Sequence, residues 1–88
     1  MFGPLKSNPS PNDLRQYDTV RVVALVNKKR VLKAAECRLR PPRVADQAVI
    51  LEIYSDPLAY NLECCDESGR TIWWGTFACE DLLIAPFA

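Results

Sequence analysis

Eighty-eight residues of zero net charge, with 49% apolar and 25% charged side chains, fit one small globular domain and exclude a wholly disordered chain. No apolar run approaches the roughly 20 residues that span a bilayer. The charge is divided, however: residues 1–44 hold ten Lys/Arg against three Asp/Glu, a balance of +7, and residues 45–88 one Arg against eight Asp/Glu, a balance of −7. Such asymmetry marks either a surface for nucleic acid or an acidic partner, or two halves of one fold that neutralise each other.

Residues 1–13, MFGPLKSNPSPND, are rich in Pro, Ser and Asn and read as a flexible arm ahead of a domain over 14–88. The arm lacks the apolar core of a signal peptide, so the expected setting is the cytoplasm, with no membrane partner. Leu14 to Tyr17 suits one turn, capped by Asn12 or Asp13. Thr19 to Val26, TVRVVALV, is a strand by its β-branched content. With Arg21 in water, Val20, Val22, Ala24 and Val26 point inward, and Val23 and Leu25 lie on the outer face.

Residues 27–44, NKKRVLKAAECRLRPPRV, carry conflicting signals. Val31, Ala35 and Leu39 recur at helical spacing with Asn27 as a cap. Yet Lys28, Lys29 and Arg30 would occupy a first turn whose dipole disfavours cations. Ala35, Cys37 and Leu39 alternate with Glu36, Arg38 and Arg40 as in a strand, and Pro41-Pro42 stops either structure. The expectation is a long, partly extended basic loop.

From Ala45 to Phe77 the pattern is a three-stranded meander. Ala48 to Tyr54 places Val49, Leu51 and Ile53 inward and Ile50, Glu52 and Tyr54 outward. Ser55-Asp56-Pro57 is turn chemistry. Tyr60 to Cys65 turns Tyr60, Leu62 and Cys64 inward, and Asp66-Glu67-Ser68-Gly69 is a hairpin loop with Gly at positive φ. Arg70 to Phe77 follows, then one helical turn over Ala78 to Leu82 and a closing strand from Leu83 to Phe87. The expected architecture is all-β: a small five-stranded SH3-like barrel with one short helical turn before the last strand.

The order YD-x-V-x-VVALV, ADQAVILEIY, AYNLECCDESGRTI and EDLL resembles a family of small bacterial proteins of unknown function with a predicted SH3-like barrel. Its pattern is YDVVALL, then GDxGTVVEVY, then YEVEFxDxxGRT. The likeness covers residues 16–85 and is best at Asp46 to Tyr54 and Tyr60 to Ile72. Ala45 and Ala48 stand where the family has Gly, which reshapes the turn into the second strand, and the basic segment is longer than usual. The resemblance implies a small accessory or adaptor protein, of a kind sometimes carried on mobile DNA. It brings no catalytic residues.

The chain has no His and four cysteines, Cys37, Cys64, Cys65 and Cys79. Without C-x-x-C spacing, and with Cys64 and Cys65 on opposite faces of one strand, these read as free thiols acting as small hydrophobes; no metal site or cofactor is expected. The acidic pairs Asp66/Glu67 and Glu80/Asp81 sit at turns, where acids are expected for local reasons. No catalytic residues are assigned. Two surfaces remain. Lys28, Lys29, Arg30, Lys33, Arg38, Arg40 and Arg43 suit phosphates or an acidic partner, although no aromatic is interleaved for base stacking. Of Trp73 and Trp74 one faces out, and with Tyr54, Ile50 and Val23 it offers a protein interface. The chain therefore reads as a non-catalytic interaction module, self-associating or bound to another protein, with nucleic-acid binding as the alternative.

Overall fold

Runs of β-branched and aromatic residues with a period of two build one antiparallel sheet in the computed structural model, which describes residues 14–87. The elements are β1 (Thr19–Leu25), α1 (Lys28–Ala34), β2 (Glu36–Cys37), β3 (Gln47–Ser55), β4 (Leu58–Cys65), β5 (Thr71–Ala78) and β6 (Leu82–Pro86). The sheet order is β2-β5-β4-β3-β1-β6. The expected all-β class is therefore present, but with six strands rather than five. The outermost strands β2 and β6 are not paired to each other, so hydrogen bonding does not close the sheet. The arm assigned to residues 1–13, and the caps offered by Asn12 and Asp13, lie outside the described residues.

The inner face carries the core. Val20, Val22, Ile50, Leu62 and Trp73 are fully buried, with Tyr60, Cys64 and Phe77 nearly so. Over Tyr60–Cys64 of β4 and Trp73–Phe77 of β5 the alternation is unbroken, the register shifting only beyond it, at Ile72: Tyr60, Leu62 and Cys64, and Trp73, Gly75 and Phe77, all point inward. On β1 and β3 it is not. Ile50 pairs with Leu62 but Glu52 pairs with Asn61, so Leu51 is an extra residue that bulges the strand. A bulge shifts the side-chain phase by one. Ile50, expected outside, is core, and Val49, expected inside, is exposed; beyond the bulge Ile53 faces inward as anticipated. On β1, Val22 pairs with Ile84 and Ala24 with Leu83, leaving Val23 as the bulged residue. Leu25 consequently packs on the core and Val26 is exposed, the reverse of the simple alternation.

The segment expected as an extended loop over 27–44 is instead a helix followed by a two-residue strand. The Asn27 side chain caps α1 by accepting from the Arg30 N–H at 3.3 Å. Burial outweighs the unfavourable dipole: Val31 is completely enclosed and ties the helix to the core. Gly75 makes the docking possible, since a Cβ there would lie 2.9 Å from the Ala34 carbonyl oxygen and 3.2 Å from the Ala35 Cα. The same missing side chain lets Trp73 and Phe77 meet edge to face, centroids 5.8 Å apart.

The turns follow local chemistry. Asp66 and Arg70 close the β4–β5 hairpin, with Gly69 at φ 90°. The helical turn expected at Ala78 to Leu82 is a single tight turn, the Asp81 N–H donating to the Ala78 carbonyl at 3.0 Å. No helix among the described residues is long and apolar enough to cross a membrane.

Candidate functional site

Asp46 is the polar centre of the molecule. Arg40 donates to it twice, Nη2 to Oδ1 at 2.7 Å and Nη1 to Oδ2 at 2.9 Å. The Arg43 backbone N–H adds a bond at 2.9 Å, and the buried Trp73 indole Nε1–H one at 2.8 Å. Burial opposes ionisation of this carboxyl, but the bonds from Arg40, Trp73 and Arg43 together with the Arg40 charge overcome it and hold its pKa below the usual value. The chemistry is structural. The carboxylate pins the Pro41-Pro42 segment to β5 and satisfies an indole that would otherwise be buried unpaired. Asp46 had no sequence motif to reveal it; the signal was a core tryptophan in need of an acceptor.

This geometry takes Arg40 out of the set expected on phosphates. Arg30 is also engaged, its Nε lying 3.3 Å from Asp81, whose side chain is nearly buried. Both pairs join the basic half of the chain to the acidic half, so part of the charge asymmetry is neutralised within the fold. Lys28, Lys29, Lys33, Arg38 and Arg43 are exposed.

The tryptophans divide cleanly: Trp73 is core and Trp74 is 40% exposed on the outer face. Cross-strand partners share a face, so the pairings Glu36↔Trp74, Glu63↔Trp74 and Val49↔Glu63 define one outer row. It runs Glu36, Trp74, Glu63, Val49 from β2 across to β3. Trp74 is thus an apolar ring between two carboxylates. Glu63 accepts a 2.6 Å bond from the Thr71 hydroxyl. Beside this row Gln47, Val49, Glu63, Cys65, Asp66 and Glu67 line an open groove of about 340 Å³.

The other residues expected at a protein interface do not gather around Trp74. Ile50 and Trp73 are in the core. Tyr54, 43% exposed, pairs with Ala59 and stands two rows away, its hydroxyl donating to Glu52 Oε1 at 3.0 Å. That bond to an anion raises the tyrosine pKa. Val23 is exposed on β1, separated from β5 by two strands.

All four cysteines are free, and among the described residues no three metal-ligating side chains converge. Burial, with the nearby Asp46 charge, pushes the Cys64 thiol up to about 11, which keeps it protonated at neutral pH. Asp66 is held by its turn, accepting from the Ser68 and Arg70 N–H groups, the Ser68 hydroxyl and Arg70 Nε. Compared with protein-family models, curated proteins and solved structures, the chain matches none.

Proposed function

We propose that this chain is a non-catalytic protein-interaction module, an SH3-like curved sheet of the bacterial cytoplasm that presents the outer row around Trp74 to protein partners, itself among them. One observation carries the reading: a large indole stands exposed on β5, one strand in from the sheet edge, flanked by Glu36 and Glu63. Tryptophan is the residue most enriched where interfaces concentrate their binding energy. The flanking carboxylates favour a basic partner and disfavour phosphates on this face. In the finer fold assignment, β1 and β3 to β6 are the five strands of the barrel, and two-residue β2 is an addition at its edge.

The test is Trp74→Ala in the full chain, with folding checked by the near-ultraviolet signal of Trp73. Every association of the protein, with itself or with a partner from its host, is expected to weaken on the order of tenfold or more. Associations unchanged by the substitution would sink the reading.

A second reading, nucleic acid bound by Lys28, Lys29, Lys33, Arg38 and Arg43, is favoured by the exposure of all five. It predicts affinity for duplex DNA whose log–log salt slope loses about 0.9 for each phosphate contact removed. Lys28→Ala/Lys29→Ala would then flatten the slope by roughly 2. A slope that does not move removes this reading.

A further inference from the structure

Where α1 meets the edge of β5 the surface forms a cleft of about 300 Å³. Strand β2 pairs with β5 only at Trp73 and Trp74, so beyond Trp74 that edge is bordered by α1, whose last residue stands against Gly75. The next residue of β5, Thr76, turns to the outer face and lines the cleft with its hydroxyl-bearing side chain. The apolar lining consists of methyl groups alone. Ala34 comes from the end of α1, and Ala59 and Ala78 are cross-strand partners on β4 and β5. The charged lining is Arg30, Lys33 and Asp81.

These charges play different parts. The Asp81 side chain is only 11% exposed and lies 3.3 Å from the Arg30 Nε. Its backbone fixes it in turn, the N–H donating to the Ala78 carbonyl and the carbonyl accepting from the Asn27 N–H, both at 3.0 Å. Arg30 is thus anchored through Nε, while its terminal nitrogens have no partner among the described residues. Lys33, three residues further along α1, lies on the same side of the helix and is in no ion pair among the described residues. A guanidinium anchored in this way offers its remaining donors as a planar fork, the shape that both oxygens of a carboxylate accept from. The charge count narrows the guest further. Two cations less one carboxylate leave a single positive charge, which a monoanion neutralises. A phosphate monoester carries about two negative charges and would set the excess beside Asp81.

We propose that this cleft binds a carboxylate borne on a short aliphatic body, as in an acidic side chain or a small free acid. The terminal nitrogens of Arg30 take the carboxylate oxygens, the Lys33 ammonium pairs with the same group, and the Thr76 hydroxyl donates to it. The carbon chain lies on Ala34, Ala59 and Ala78. The site shares no lining residue with the Glu36–Trp74–Glu63 row and stands independently of it.

Amide-resolved NMR titration of the full chain tests it, with N-acetylglutamate α-amide and propionate as probes and sodium chloride at matched ionic strength as the control. Both carboxylates are expected to shift the backbone signals of Lys33, Thr76 and Ala78 saturably, and chloride to leave them in place. Lys33→Gln removes no contact within the fold and should weaken binding on the order of tenfold. Arg30→Lys keeps a cation for Asp81 but loses the fork, and should weaken it by a similar factor. Ala78→Leu fills the cleft and should abolish binding; if that variant does not fold, Lys33→Gln and Arg30→Lys carry the test. Tighter binding of the acetylated amide marks an acidic side chain as the natural guest, and tighter binding of propionate a free acid. The proposal is overturned if neither probe saturates, or if the shifts spread equally to Lys28, Lys29, Arg38 and Arg43. Inorganic phosphate bound more tightly than either carboxylate, or an affinity unchanged in the folded variants, would overturn it as well.

Discussion

Ala45 holds a backbone conformation that its side chain disfavours, with φ at 78°. The left-handed region costs a residue with a Cβ roughly 1–2 kcal/mol, a penalty glycine escapes. The strain is retained because the Ala45 N–H bonds the Val22 carbonyl at 2.8 Å and delivers Asp46 to its partners. Ala45→Gly is therefore expected to stabilise the protein by about 1 kcal/mol and raise its Tm by several degrees, as calorimetry would show. Next to it, Asp46→Ala leaves the Trp73 indole N–H without its acceptor and the Arg40 guanidinium with only the Pro41 carbonyl, and should cost about 3 kcal/mol in urea unfolding. Arg40→Ala should cost less, since the carboxylate keeps its bonds from Trp73 and the Arg43 N–H. Equal losses for the two would contradict the central role given to Asp46.

Among the elements, β3 gives the clearest test of side-chain phase. Ile50→Ala empties a core position and should lose about 2–5 kcal/mol, whereas Val49→Ala at the exposed neighbour should lose under about 1 kcal/mol. Comparable losses would mean that the Leu51 bulge is misplaced. This strand also shows how far the sequence was legible. Strand β4 keeps its period of two over Tyr60 to Cys64, and Tyr60, Leu62 and Cys64 were readable as core from that pattern alone. On β1 and β3 the pattern itself is intact, but one inserted residue in each pairing, Val23 or Leu51, changes which side of it faces inward. A bulge is a relation between two strands and leaves no mark in either alone. Helix α1 was obscured for another reason: its local signals, three cations in the first turn, oppose the state that burial of Val31 selects. The candidate site was half legible. The sequence offered two adjacent tryptophans without saying which was outside, and it offered seven cations of which Arg30 and Arg40 are engaged within the fold.

At the scale of the whole molecule, the perturbed acids and thiols shape stability from both ends of the pH range. Asp46 and Asp66 have pKa values lowered from 3.8, Asp66 to about 2, by the donors that surround them. A lowered carboxyl pKa contributes stability that is complete above the unfolded-state value and is lost as pH falls through the folded one. Stability should therefore be level above about pH 4 and decline toward pH 2. Cys64 behaves oppositely. Its pKa rises from 9.0 to about 11, so the unfolded thiol ionises first, and stability declines as pH climbs through that interval. Urea midpoints measured across the range should give a plateau with two shoulders. Cys64→Ala should shrink the alkaline shoulder, to which Cys65, Cys79 and Tyr60 also contribute, and Asp46→Ala the acid one, leaving the part that belongs to Asp66; shoulders unmoved by either substitution would assign the titration to the other groups. The β1–β6 ladder, in which Val20 lies opposite Pro86, bears on how the chain finds this structure. β3, β4 and β5 are joined by short hairpins and can zip together locally, but β1 cannot meet β6 until nearly the whole described chain is arranged between them. Closing so long a loop precedes any gain from the contact. Folding speed is thus governed by the meeting of the first and last strands, and strengthening the central meander would change it little unless the meander also draws those two strands together.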